Sequence, residues 1–309
     1  MLKIIDLHCD TLTLAYDNGR SLCCDEHHFS LDRLPGGYSW CQCMAVFIPD
    51  ELRGQAATDY FSAVHDFYRT QLNENKGIFR EIKGFFDIAA QMEKSDITAI
   101  LTVEGGAVLA GDPANVEWLY GKGVRMMTLT WNAENELCGG VLSGGGFTKI
   151  GREAVRRMES SGMIVDVSHL SDKGFLQLCD FAEKPFVASH SNARSICPHP
   201  RNLTDEMLRE IIQCGGLVGL NYYDLFIRDG GGSADIEDLL RHVHHILDLG
   251  GEDYLALGSD YDGADLPPYI CGMQYIGDFA EALECSGVSP AVVQKLLYKN
   301  AAEFFARIL

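Results

Sequence analysis

Basic residues are scarce: 25 Lys and Arg stand against 44 Asp and Glu, a formal charge of −19. A chain so acidic repels phosphate backbones, which argues against a nucleic-acid partner. Long apolar runs are missing too. None approaches the roughly 18–20 residues that a membrane helix requires, so no membrane partner is expected. No Gly-x-Gly-x-x-Gly follows the first apolar stretch, which removes the usual dinucleotide-binding signature. Repeats, low-complexity tracts and linkers are absent, and Gly139-Gly140, Gly144 to Gly146 and Gly230 to Gly232 are too short to be more than loops. The hydrophobic content of 47% is too high for a disordered chain.

The opening MLKIIDLHCDTLTL has one Lys, then acidic and histidine residues inside its apolar stretch, so it does not read as a secretory signal. The 11 cysteines then fit reduced thiols in a cytosol, and a cytoplasmic location is expected. Cys41 and Cys43 lie in WCQCMAVFI, a strand-like stretch that points both thiols to one face. Asn202-Leu203-Thr204 forms a sequon that has no use in such a compartment.

What is present is an alternation. Strands are expected at 3–9, 40–48, 97–105, 124–131, 163–169, 185–190, 217–223 and 254–260. Helices are expected at about 55–74, 113–121, 148–161, 171–182, 204–214, 235–249 and 277–286. A last helix should start at Ser289-Pro290, as N-cap and first helical residue, and run to the end. Eight near-continuous apolar strands alternating with helices indicate an α/β fold with a parallel sheet buried on both faces. Eight is the number that closes a (β/α)8 TIM barrel, and a single domain over 1–309 accounts for the length.

Polar residues collect at the ends of these strands: His8 and Asp10, Glu104, His169, His190 and Asp260. In a barrel those ends converge on one face, where active sites lie. Imidazole and carboxylate together suit Zn²⁺ and similar divalent ions. His169 and His190 could bind one ion and His8 and Asp10 a second, with Glu104 bridging through its two oxygens. Two such ions would hold a hydroxide between them and polarise a carbonyl, leaving Asp260 to shuttle the proton. The other histidines are expected to be incidental. His242, His244 and His245 share one helix, in surface or capping roles; His27-His28 and His199 sit in loops.

The stretches IIDLHCDT, TVEGG, MTLTWN, IVDVSHLS, FVASHSNARSICPHPRNLTDE and ALGSDYDG run in order from residue 4 to residue 263. In them the chain resembles the membrane (renal) dipeptidase family of metallopeptidases, a branch of the metal-dependent amidohydrolase-like barrels. The resemblance implies a TIM barrel with two Zn²⁺, other divalent ions being possible, that hydrolyses dipeptides, L-D pairs among them. It implies His8 and Asp10 as ligands of the first ion, His169 and His190 of the second, and Glu104 as the bridge. It also implies Asp260 as the catalytic acid and Arg201 as the site for the substrate carboxylate. A planar guanidinium suits a carboxylate. Members of the family are often homodimers, although no unambiguous apolar face stands out here.

One position departs from the pattern. Mammalian members carry a His after Leu-Thr at the fourth strand end, where it contacts the substrate; here Leu129-Thr130 is followed by Trp131. An indole N–H donates a single hydrogen bond, and Asn132 or Asn135 stands ready to substitute. Trp131 therefore leaves room for an amidohydrolase acting on N-acyl amino acids, lactones or cyclic amides, or for an inactive metal-binding relative. Of the 44 acidic residues only Asp10, Glu104 and Asp260 are needed at the site, so most of the charge belongs to an acidic surface.

Overall fold

The computed structural model describes every residue except 85–87, 89–91, 93–95, 231 and 309. Its strands are β1 (Leu2–Cys9), β2 (Tyr38–Phe47), β3 (Phe79–Glu81), β4 (Ile97–Glu104), β5 (Met126–Thr128), β6 (Ile164–Asp166), β7 (Val187–Ala188), β8 (Leu217–Leu220) and β9 (Leu255–Leu257). They pair in the order β2-β1-β9-β8-β7-β6-β5-β4, and β4 pairs back to β2, from Trp40↔Ile97 to Phe47↔Glu104. Every pairing is parallel. The sheet is therefore a closed eight-stranded barrel, as the eight apolar runs require.

The ninth strand, β3, was not expected. It is three residues long, too short to display a periodicity, and it lies along Ile97–Ala99 at the start of β4. Further up, β4 pairs with β5 through Thr102–Glu104.

Burial divides along the pleat. Ile5, Leu7, Cys41, Cys43, Ile100, Met126, Ile164, Val187, Leu217 and Ala256 form one cluster. A cluster that draws on all eight barrel strands is the lumen, and Ala301, Phe304 and Phe305 close it from one end. Cys41 and Cys43 do share a face, as hydrophobic filling. The alternate residues, such as Ile4, Met44 and Leu101, face the surrounding helices.

Several helices begin at side-chain caps: Thr148, Ser171 and Thr204 each accept a backbone N–H three residues on, and Asp235 and Asp238 form a reciprocal capping box. Ser289 caps Pro290–Gln294 as expected, but that helix does not continue unbroken. It widens into a π turn at Lys295–Lys299 before Asn300–Ile308. There the Asn300 amide donates to the carbonyls of Glu252 (2.9 Å) and Leu255 (2.8 Å), an anchor that periodicity does not reveal. No helix among the described residues is long and apolar enough to cross a membrane.

Candidate metal centre

The strand ends deliver the expected donors to one place. His8 sits near the end of β1 and Glu104 closes β4. His169, His190 and Asp260 lie two or three residues beyond β6, β7 and β9. All are buried, with His190 fully so and Asp10, His169 and Asp260 each 8% exposed. His169 and Asp260 adopt left-handed backbone, φ 68° and 62°. Non-glycine residues hold that conformation only when their surroundings enforce it, a cost that gathers at functional sites.

Glu104 is the hub. Its Oε1 lies 2.8 Å from His169 Nε2 and 3.6 Å from His190 Nε2, while Oε2 lies 3.6 Å from His8 Nε2. His169 and His190 bring their Nε2 atoms to 3.0 Å of each other, and His8 Nε2 is 3.2 Å from Asp10 Oδ2. One carboxylate thus turns an oxygen to each of two donor pairs. Asp260 Oδ1 stands 3.9 Å from His8 Nε2. The donors of His8, Asp10 and Asp260 lie within 4.8 Å of one another, as do those of His8, Glu104 and His190.

These spacings fit divalent ions. Tetrahedral bonds near 2.05 Å place neighbouring donors about 3.3 Å apart, and the distances above bracket that value. Asp10 Oδ1 is buried without any hydrogen-bond partner, the condition a cation relieves.

Electrostatics agree. Burial and the neighbouring Arg201 lower the pKa of His169, and burial with His8 holds His190 well below the usual imidazole range. Both are thus neutral, as ligands must be. Burial opposes charge on His8, but Asp10 and Glu104 outweigh it and raise its pKa well above the ordinary value. Burial likewise works against a charged Glu104, yet His169 and His8 keep its carboxyl well below the usual range. Burial pushes Asp10 up to about 7.

Behind the donors lies a supporting layer, in which only Asn132 is a candidate from the sequence, and there as a substrate contact. Asn132 Oδ1 lies 2.9 Å from His169 Nδ1 and accepts its proton, so Asn132 supports a ligand as well as lining the cavity. Ser189 Oγ contacts His190 Nδ1 at 2.7 Å and donates to Asp166 Oδ2 at 2.5 Å. Asp166 also accepts from Thr128 Oγ1 and from the N–H groups of Ser168 and Ser189. Asn221 Nδ2 donates to Asp260 Oδ2 at 2.9 Å. Gly263 allows the loop after β9 to close over the site: a Cβ there would come within 2.1 Å of Asp10 Oδ2. Asp166 and Gly263 lie inside recognisable motifs; Asn221 offers no sequence signal, since LVGLNYY reads as a plain strand.

A cavity of about 690 Å³ opens onto these donors, lined in part by Phe47, Trp131, Asn132, Tyr223 and Phe226. Trp131 packs edge-on against Phe47 with ring centroids 4.9 Å apart. Arg201 sits behind the lining, its guanidinium 5.2 Å from the Phe226 ring centroid. It is 5% exposed. It donates only long bonds, to Ser191 Oγ (3.4 Å) and the His190 carbonyl (3.3 Å), and its Nε has no partner. Burial pulls its pKa down to about 10.

The remaining histidines divide. His28 lines the cavity, and its Nδ1 accepts from the Asp262 N–H at 3.0 Å, so it is not incidental. His242 is fully buried rather than on the helix surface. Its Nδ1 accepts from Ala193 N and its Nε2 donates to the Ile227 carbonyl. Burial lowers its pKa to about 4. His245 pairs with Asp205 at 2.8 Å, and His199 accepts from the Arg201 N–H.

A closed (β/α)8 barrel with imidazole and carboxylate donors converging at its C-terminal mouth defines a metal-dependent hydrolase. The family model for membrane dipeptidases (peptidase family M19) matches residues 1–308, and the chain belongs to that family of metallopeptidases. A Klebsiella pneumoniae protein described as an uncharacterized protein in the pqqA 5′ region is 34% identical over 225 residues, 69% of this chain and 83% of that one. The structure of dipeptidase AC, an M19 metallopeptidase, matches with a TM-score of 0.93 at 25% identity, covering 99% of this chain and 98% of that one. A Rhodobacter sphaeroides metallopeptidase, solved with a phosphinate mimic of L-Ala-D-Ala, has the same fold: its TM-score is 0.94 at 24% identity, covering 100% of this chain and 99% of the other.

Proposed function

We propose that this chain is a two-zinc dipeptidase of a reducing, cytoplasmic compartment, and that L-D dipeptides are among its substrates. The observation that carries the reading is the position of Glu104, one oxygen toward His169 and His190 and the other toward His8, at the floor of a cavity backed by a buried arginine. His8 and Asp10 would hold one ion, His169 and His190 the other, with Glu104 shared. When bound, such ions lower the pKa of water and polarise a carbonyl.

The chain's own residues do the rest. Asp260 is held by Asn221 at Oδ2, which leaves Oδ1 facing the donor cluster. It is placed to take a proton there and to deliver it to the departing amine. Arg201, with an unsatisfied Nε, suits the substrate carboxylate. Asn132 keeps the His169 proton on Nδ1, so Nε2 presents a lone pair. Trp131 and Phe47 form a wall where the family histidine is missing. All 11 cysteines are free, and burial pushes the Cys41 thiol up to about 12, in keeping with structural thiols.

The test is a panel of dipeptides, including L-D and D-D pairs, offered to the zinc-loaded protein. Cleavage of some members supports the reading, and cleavage of none overturns it. The aromatic wall favours a second reading, hydrolysis of N-acyl amino acids, lactones or cyclic amides. Arg201→Ala separates the two, because a neutral amide or lactone does not need the guanidinium.

A further inference from the structure

The guanidinium of Arg201 is loosely held. Its bonds to Ser191 Oγ and the His190 carbonyl are long, 3.4 and 3.3 Å, and its Nε has no partner. Where that head points is therefore set by the backbone that carries it. One side chain holds this backbone on both sides. Arg194 Nε donates to the Asn202 carbonyl at 2.7 Å, and its Nη2 donates to the Pro200 carbonyl at 2.8 Å, so the two bonds straddle Arg201. The Arg194 N–H adds a third bond, to the Leu203 carbonyl at 2.7 Å.

Arg194 is anchored in turn. Its Nη1 and Nη2 meet the two oxygens of Asp172 at 2.7 and 2.8 Å, a bidentate pair whose geometry is directional. Asp172 opens the helix Asp172–Cys179, so the clamp ties the Arg201 loop to a fixed element. Arg194 does not line the cavity. It has no route to a bound substrate except through Arg201.

We propose that Arg194 is a positioning residue: with Asp172 it clamps the Pro200–Asn202 backbone and so sets the reach of the Arg201 guanidinium toward the substrate carboxylate. This inference rests on the dipeptidase reading, in which Arg201 binds that carboxylate, and deepens it.

The test is a double-variant cycle on the zinc-loaded enzyme, using the best substrate of the dipeptide panel. Arg194→Ala should lower kcat/KM by about 10-fold, inside the range of up to about 10²-fold that a small misplacement costs. The loss should appear as a raised KM, whereas a folding defect lowers kcat by reducing the fraction of active enzyme. In the Arg201→Ala background the same change should add less than about twofold, because the group it positions is gone. Arg194→Lys should recover little, since one ammonium cannot replace the planar fork. If Arg194→Ala does not fold, Asp172→Ala, which releases the anchor, carries the same cycle with the same expected coupling. An equal loss in both backgrounds, a lowered kcat at unchanged KM, or full activity of Arg194→Lys overturns the proposal and leaves the dipeptidase reading in place. Undiminished activity of Arg201→Ala overturns the carboxylate assignment and the proposal together.

Discussion

Asn132 and His169 meet at 2.9 Å, amide oxygen to Nδ1, and this contact decides which ring nitrogen of His169 is free. Asn132→Ala should weaken one metal site by about 10- to 100-fold, the usual effect of losing a partner behind a ligand. Asn132→Asp, which keeps the acceptor, should retain most of the affinity. Competition with a chelator measures both.

Metal uptake should depend on pH in one direction. His8 is raised well above its ordinary pKa and Asp10 is raised to about 7, so both carry protons that ions must displace near neutrality. Below those pKa values protons compete, and apparent affinity should rise from pH 6 to 8. About one to two protons should leave per chain on loading at pH 7. Calorimetry in buffers of different ionisation enthalpy counts them, and a pH-independent affinity would contradict the assignment.

Arg201→Ala should lower kcat/KM on dipeptides by about 2 kcal/mol or more, the cost of truncating one member of a buried charge pair. Arg201→Lys should not restore it, since an ammonium lacks the planar fork. Steady-state kinetics on a dipeptide and on a neutral amide give the contrast.

Asp260→Asn should reduce kcat by about 10²- to 10⁴-fold, as expected for a proton-transfer group, with both ions retained. Elemental analysis of the variant distinguishes a proton shuttle from a ligand. Loss of an ion would assign Asp260 to the second role, which its place beside His8 and Asp10 also permits.

Gly263→Ala should displace Asp10 and Asp260, because the new Cβ would stand 2.1 Å and 2.7 Å from their oxygens. Metal content and activity should fall together while far-ultraviolet circular dichroism stays unchanged.

Much of this was legible in the sequence because barrel strands are buried on both faces and therefore appear as apolar runs. The runs overshot the hydrogen-bonded strands at their ends. The expected strand at 185–190 reduces to Val187–Ala188, and the polar residues beyond it belong to loops. That overshoot is itself informative, since His169, His190 and Asp260 lie in the excess. Ligand types were readable; their supports were not. Asn221 and Ser189 act through contacts across neighbouring strands, and Asn132 reaches His169 from 37 residues away. His242 departs from its expected surface or capping role because its helix brings it against the Ala193 and Ile227 backbones, a tertiary contact with no local signature.

We propose that the His8, Asp10, Glu104, His169 and His190 constellation is a two-ion hydrolytic site for dipeptides. Titrating metal-free protein with Zn²⁺ while following dipeptide hydrolysis tests it most directly. Activity should emerge with added zinc and reach its plateau at two equivalents per chain. A plateau at one equivalent, or no hydrolysis at saturating metal, would contradict it.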